Sequence, residues 1–276
     1  MTRRTFFRTL TLLALCAATS LARAAAPEIV APEIVAHRGA SHGAPENTIA
    51  AIRLAWEQKA DAVEFDVYLT KDGQIVVIHD ADTKRTAGVA RKVVDQSFAE
   101  LRKLDVGSWK HARFAGEKIP SLAEVLSEIP AGKRAFIEVK CGPEIVPELK
   151  RVAQASKLGS EQMAVISFNA EVVAAAKAAL PQLKAYWIVD PKPDKKPAWT
   201  TKSLLAKSQE IKADGLDLSV QPIVTGEFVR GMKRENLPVF VWTVDDAAVA
   251  KRMVAAGVLG ITTNRPAWLR EQLQQK

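Results

Sequence analysis

The chain has 276 residues, 48% of them hydrophobic, with a formal charge of +8 and two cysteines. So slight a positive excess argues against nucleic-acid binding and leaves room for anionic substrates. Cys16 lies in an N-terminal segment expected to be removed, so Cys141 has no disulfide partner within the chain and stability must come from a large core.

Thr2-Arg3-Arg4-Thr5-Phe6-Phe7-Arg8 precedes an apolar stretch from Leu10 to Leu21 and a small-x-small site at Ala22-Arg23-Ala24. That layout predicts an export signal over residues 1–24, cleaved after Ala24. The paired arginines followed by Phe6 and Phe7 resemble a twin-arginine signal, with an ordinary secretory signal as the alternative. Either route predicts a periplasmic or secreted protein. Thr19, Ser20 and Arg23 break the apolar run before the roughly 18 residues a membrane span needs, so no span is expected after cleavage. Leu15 before Cys16 does not fit a lipoprotein signal, which expects a small residue there. Ala26-Pro27-Glu28-Ile29-Val30 recurs at once as Ala31-Pro32-Glu33-Ile34-Val35, and residues 25–33 read as a loose arm before a catalytic domain over 34–276. About 250 residues then remain, the usual size of one (β/α)8 barrel.

From Ile34 onward short β-rich runs alternate with helix-period segments, the pattern of a parallel α/β sheet. Barrel strands are expected at 34–38, 63–69, 135–140, 164–168, 184–189, 215–218, 239–242 and 260–262. Helices are expected at 48–58, 122–128, 144–156, 171–180, 201–207, 226–234, 245–256 and 267–274. Lys71-Asp72-Gly73-Gln74 reads as a hairpin turn that makes 75–79 an extra strand outside the barrel. Residues 82–120 form an insertion after the second barrel strand, over one mouth, with a helix possible at 97–103. Residues 191–197 read as a solvated loop.

Three apolar runs end in chemically active side chains: Ile34-Val35-Ala36-His37-Arg38-Gly39, Val63-Glu64-Phe65-Asp66-Val67 and Val76-Val77-Ile78-His79-Asp80. Such ends lie at the carboxyl edge of a parallel sheet, where α/β folds place their chemistry. Glu64 and Asp66 share one strand face, and two hard oxygen ligands there suit Mg²⁺ or Ca²⁺. Glu138 and Lys140 repeat the spacing. Alone they would be an inward salt bridge, but three inward carboxylates without an ion would repel one another, so a metal is the simpler account.

With Pro45-Glu46-Asn47-Thr48, Pro120-Ser121-Leu122 and Trp242-Thr243-Val244 added in order, the chain from Ile34 to Leu273 resembles the glycerophosphodiester phosphodiesterases. The resemblance implies a TIM barrel that hydrolyses glycerophosphodiesters, small deacylated phospholipids, to sn-glycerol 3-phosphate and an alcohol. It implies Glu64, Asp66 and Glu138 as ligands of one divalent cation, Ca²⁺ or Mg²⁺. His37 and His79 become the general acid/base pair, and Arg38 and Lys140 the phosphate clamps. A glycerol hydroxyl would attack phosphorus to give a cyclic phosphate that water opens, with the assignment of base and acid left open. The set is chemically complete for a diester, which needs cations on its non-bridging oxygens and a proton donor at its leaving group.

Trp242 is a candidate wall of the substrate pocket or a core residue, and Phe168 carries the same ambiguity. Glu46 and Asn47 could orient His37 or a metal-bound water, or simply open a helix. His42 and His111 are expected at the surface or substrate mouth, and Cys141 in packing. Asn264 stands where the family often has aspartate before Arg265-Pro266, a departure expected to affect only a supporting loop contact and not the metal or proton-transfer set. Two other readings use the same residues: a phospholipase C or D acting on intact lipid, with Trp109 and Phe114 as its apolar rim, or a non-catalytic glycerophosphodiester-binding protein.

Overall fold

The computed structural model describes residues 1–2, 31–192, 194 and 198–275. In chain order the elements are β1 (Glu33–His37), α1 (Ile49–Glu57), β2 (Ala62–Leu69), β3 (Ile75–Val77), α2 (Lys84–Ala87), α3 (Phe98–Leu101), α4 (Leu122–Ser127), β4 (Arg134–Val139), α5 (Val146–Ala155) and β5 (Met163–Ser167). They continue as α6 (Ala170–Ala179), β6 (Lys184–Val189), α7 (Thr201–Glu210), β7 (Gly215–Ser219), α8 (Gly226–Arg234), β8 (Val239–Trp242), α9 (Ala247–Ala256), β9 (Gly260–Thr263) and α10 (Pro266–Gln274).

Eight of the strands close into a parallel barrel. β1 pairs with both β2 and β9, and the order between runs β2, β4, β5, β6, β7, β8, β9. β3 lies outside the barrel, antiparallel to β2. All eight predicted barrel strands are present within a residue of their expected ends. Val63, Phe65 and Val67 are fully buried under the helical layer, which leaves Glu64 and Asp66 between them to point into the barrel.

The bottom of the barrel is sealed. Phe136, Tyr186 and Phe240 converge with ring centroids 5.2 Å (Phe136 to Phe240) and 4.9 Å (Tyr186 to Phe240) apart. Below them Arg134 pairs with Glu33 at 2.6 Å and stacks over Phe136. Polar inward positions are therefore accessible from the carboxyl-end mouth alone. α1 is anchored there by Thr48, whose hydroxyl accepts from the Ala51 N–H at 3.2 Å, a cap worth about 1 kcal/mol.

Several boundaries differ from expectation. β1 starts at Glu33, so that residue belongs to the barrel rather than the arm, and it ends at His37, which puts Arg38 in the following turn. β3 stops at Val77, leaving His79 in a loop. The 82–120 insertion has a core of its own, in which Val93, Leu101, Val106 and Ile119 pack with Val76 and Ile78. Asp105 stiffens it by accepting from the N–H groups of Gly107, Ser108 and Gly116. The expected signal beyond Thr2, the arm up to Val30 and residues 193 and 195–197 of the expected 191–197 loop lie outside the described residues.

Candidate active site

The turn after β1 brings the first groups together. Arg38 and Gly39 both adopt positive φ, 54° and 75°, and a Cβ on Gly39 would lie 2.5 Å from the Ala51 backbone. Only glycine lets this turn press against α1. The turn delivers the Arg38 N–H to Glu64 Oε2 at 2.9 Å, while the guanidinium reaches Glu46 Oε1 at 2.9 Å and Asp66 Oδ2 at 3.4 Å. Asn47 and Asp66 exchange two hydrogen bonds, of 2.8 Å and 3.2 Å. Glu46 thus orients Arg38 and Asn47 orients Asp66.

Glu64, Asp66 and Glu138 present oxygens within 4.8 Å of one another, and each residue is less than 10% exposed. Lys140 Nζ lies 2.7 Å from Glu138 and 3.5 Å from Asp66. Glu64 Oε1 and Asp66 Oδ1 are buried without any hydrogen-bond partner. Burial, reinforced by the charge of Asp66, pushes Glu64 well above its ordinary value and Glu138 up to about 7. Orphaned hard oxygens and mutual repulsion are what a divalent cation relieves, so the donor set fits such an ion.

The two histidines have different partners. His37 Nδ1 lies 2.7 Å from Asn264 Oδ1, and its Nε2 lies 4.0 Å from Glu64 Oε2. Asn264 in turn donates its side-chain and backbone N–H groups to Asp245. Burial, then Arg38, lowers the His37 ring below its ordinary value. His79 Nδ1 meets Asp80 Oδ1 at 2.7 Å. Asp80 is gripped by Arg85 Nε at 2.7 Å, and the same guanidinium binds both oxygens of Glu46 at 2.7 and 2.9 Å. Burial alone would raise Asp80, but the hydrogen bonds from Arg85 and His79 outweigh it and hold the carboxyl low.

His37, Arg38, Glu64, His79, Glu138, Lys140 and Trp242 all line one cleft of about 310 Å³, while Asp66 lies beneath it. A larger cavity of about 530 Å³ between α4 and α5 carries none of these groups. Trp242 both lines the cleft and packs against the inner core of the barrel, edge-on to Phe168 at 5.5 Å. Phe168, 47% exposed, shares that wall. His42 borders a separate pocket beside Arg265 and Trp268, and His111 accepts from the Arg113 N–H in the insertion. Cys141 packs against the core, where burial raises its thiol. Trp109 and Phe114 do not line the cleft. One expectation is corrected outright: Asn264 is not confined to a supporting loop contact but is a direct partner of His37, because β9 closes the barrel on β1. Arg85, Asp245 and Asp217 were not singled out by sequence reasoning. Asp217 carried a signal, being an acid between two leucines on a strand.

A closed (β/α)8 barrel with a buried carboxylate triad, two cations and two histidines at its carboxyl-end mouth defines a barrel hydrolase. The model of the glycerophosphoryl diester phosphodiesterase family matches residues 37–268, and the chain belongs to that family. It is 36% identical over 243 residues to a glycerophosphodiester phosphodiesterase of Caldanaerobacter subterraneus subsp. tengcongensis, covering 84% of this chain and 93% of that protein. It is 32% identical over 250 residues to a Bacillus subtilis glycerophosphodiester phosphodiesterase, covering 84% and 83%. Among solved structures, an Oleispira antarctica phosphodiesterase in complex with the product sn-glycerol-3-phosphate superposes with a TM-score of 0.80 at 27% identity, over 88% of this chain and 97% of that one.

Proposed function

We propose that this enzyme hydrolyses small glycerophosphodiesters to sn-glycerol 3-phosphate and an alcohol, using one divalent cation, Ca²⁺ or Mg²⁺, held by Glu64, Asp66 and Glu138. The observation that carries the reading is the triad of buried carboxylates beside two histidines with chemically opposite partners. A bound cation there supplies Lewis acidity, drawing charge off the phosphoryl oxygens.

The chain's own groups supply the rest. Arg38 and Lys140, each anchored by carboxylates, bind the non-bridging oxygens. Trp242 and Phe168 wall the substrate on one side. The Asn264 side-chain N–H donates to Asp245, which fixes Oδ1, an acceptor, as the atom facing His37, so the proton on His37 stands at Nδ1. His37 Nε2 then carries a free lone pair and takes the proton of the attacking glycerol hydroxyl. Asp80 is held anionic and, through its bond to Nδ1, orients His79 so that its Nε2 gives a proton to the departing alcohol oxygen. Water opens the resulting cyclic phosphate with the two roles exchanged.

The apolar rim that an intact lipid would use is not at the cleft: Trp109 bonds Val106 through its indole N–H and Phe114 stacks under Arg113, both within the insertion. A protein that only captured diesters would have no use for two partnered proton-transfer groups. Following glycerophosphocholine by phosphorus NMR tests the reading: sn-glycerol 3-phosphate is expected, and phosphocholine or unchanged substrate would overturn it. Residues 1–24 are proposed as a cleaved export signal, which makes the enzyme periplasmic or secreted; the residue pattern supports this. Among the described residues no helix is long and apolar enough to cross a membrane.

A further inference from the structure

Asp217 is a buried acid in the cleft to which neither the cation site nor the proton-transfer pair gives a role. Its flanking residues Leu216 and Leu218 are fully buried in the outer layer, so its side chain points into the barrel. It is 5% exposed, lines the cleft, and its Oδ1 is buried with no hydrogen-bond partner. Among the described residues no lysine, arginine or histidine forms an ion pair with it, and it stands outside the group of carboxylates able to share a cation. Its neighbours across β6 and β8 are Ile188 and Phe240, and the Trp242 indole N–H donates to its backbone carbonyl at 3.2 Å, so its strand neighbours are apolar and fixed, while the nearby Glu138 carboxylate repels its charge. A partnerless buried carboxyl is costly, and the cleft is the side from which a partner can arrive.

We propose that Asp217 hydrogen-bonds a hydroxyl of the substrate's glycerol and makes the site selective for glycerol-bearing diesters. This inference rests on the phosphodiesterase reading above. In the barrel order, β7 stands directly across from β2, with three strands between them in either direction. His79, the proposed donor to the leaving alcohol, follows β3, which extends the sheet beyond β2. Displacement at phosphorus sets the attacking and leaving oxygens roughly in line. With the leaving alcohol at the β2 and β3 side, the glycerol is turned towards β7. The head group occupies the outer side, where His79 is 30% exposed, and the deep end takes the small polyol. A carboxyl in a desolvated wall is suited to holding a hydroxyl, and a site built for a hydroxyl discriminates strongly against an analogue without one.

The test compares glycerophosphocholine with the matching diester of propane-1,2-diol, which keeps the attacking hydroxyl and lacks the terminal one. The wild-type enzyme, loaded with Mg²⁺ or Ca²⁺, is expected to prefer the glycerol diester by about 10- to 100-fold in kcat/KM, the range for a hydrogen bond to a carboxyl group. In Asp217→Ala that ratio should fall to about one because the loss falls on the glycerol diester, and the isosteric Asp217→Asn should retain part of it. Three results would overturn the inference: a wild type that treats both diesters alike, variants that keep the wild-type ratio, or a change that follows choline against ethanolamine instead of the polyol. The first needs no variant to fold. A wild type inactive on both diesters overturns the phosphodiesterase reading and this inference with it.

Discussion

His37 and Asn264 are 227 positions apart in the chain, yet Nδ1 of one lies 2.7 Å from Oδ1 of the other. The contact sets the ring's tautomer, because a side-chain N–H of Asn264 donates to Asp245 and Ser41 donates to the same Oδ1 at 2.8 Å, which together fix the amide's orientation. Asn264→Ala should lower turnover on glycerophosphocholine by about 10²-fold, the lower end for a mispositioned proton-transfer group, with metal content unchanged. Steady-state kinetics beside metal analysis checks this. Turnover within about twofold of wild type would mean that the ring does not need this partner.

In the proposed mechanism His37, beside a neutral amide, is the base and His79, beside a carboxylate, is the acid. His37→Ala and His79→Ala should each cost roughly 10²- to 10⁴-fold on glycerophosphocholine. A diester with p-nitrophenol as leaving group needs little protonation, so on it His79→Ala should recover much of its rate and His37→Ala should not. The reverse pattern would exchange the two roles.

Arg85 joins the two halves of the site, holding Asp80 with Nε and Glu46 with both terminal nitrogens. Through these it positions His79 and Arg38. Arg85→Met should lower kcat and raise KM together, each by about an order of magnitude, as expected for loss of charge-assisted hydrogen bonds. Arg85→Lys should rescue little, because a single ammonium cannot span both carboxylates. The kcat loss should shrink on the p-nitrophenyl diester, which a purely structural role would not produce.

Export has its own check. The mature protein should begin near Ala25, and replacing Arg3 and Arg4 with lysine should block export by the twin-arginine route. Undiminished export of that variant, read by N-terminal sequencing of the secreted fraction, would point to the general secretory route.

The barrel was legible because strands buried on both faces read as apolar runs, and Glu64, Asp66, Glu138 and Lys140 stood out as polar interruptions of such runs. The same runs blurred their own ends: His37 closes β1 whereas His79 lies beyond β3, although both follow valine- and isoleucine-rich segments. Arg85 was invisible, since the insertion has no periodicity and its contact with Glu46 spans 39 positions. Asn264 was seen as a departure from the family pattern, but its contact depends on β9 pairing with β1, which no local signal records. Asp217 obeyed the alternation that revealed Glu64, yet a lone acid on a strand does not announce which side of the barrel it faces.

The central claim is a single divalent cation at Glu64, Asp66 and Glu138 that diester hydrolysis requires. Protein stripped with chelator and then reloaded with Mg²⁺ or Ca²⁺ tests it most directly, with metal content and release of sn-glycerol 3-phosphate read on the same samples. Turnover should vanish on stripping and return as binding approaches about one ion per chain, and Glu64→Gln should neither hold the ion nor regain activity. Full turnover by the metal-free protein, or an unchanged metal content in Glu64→Gln, would contradict the account.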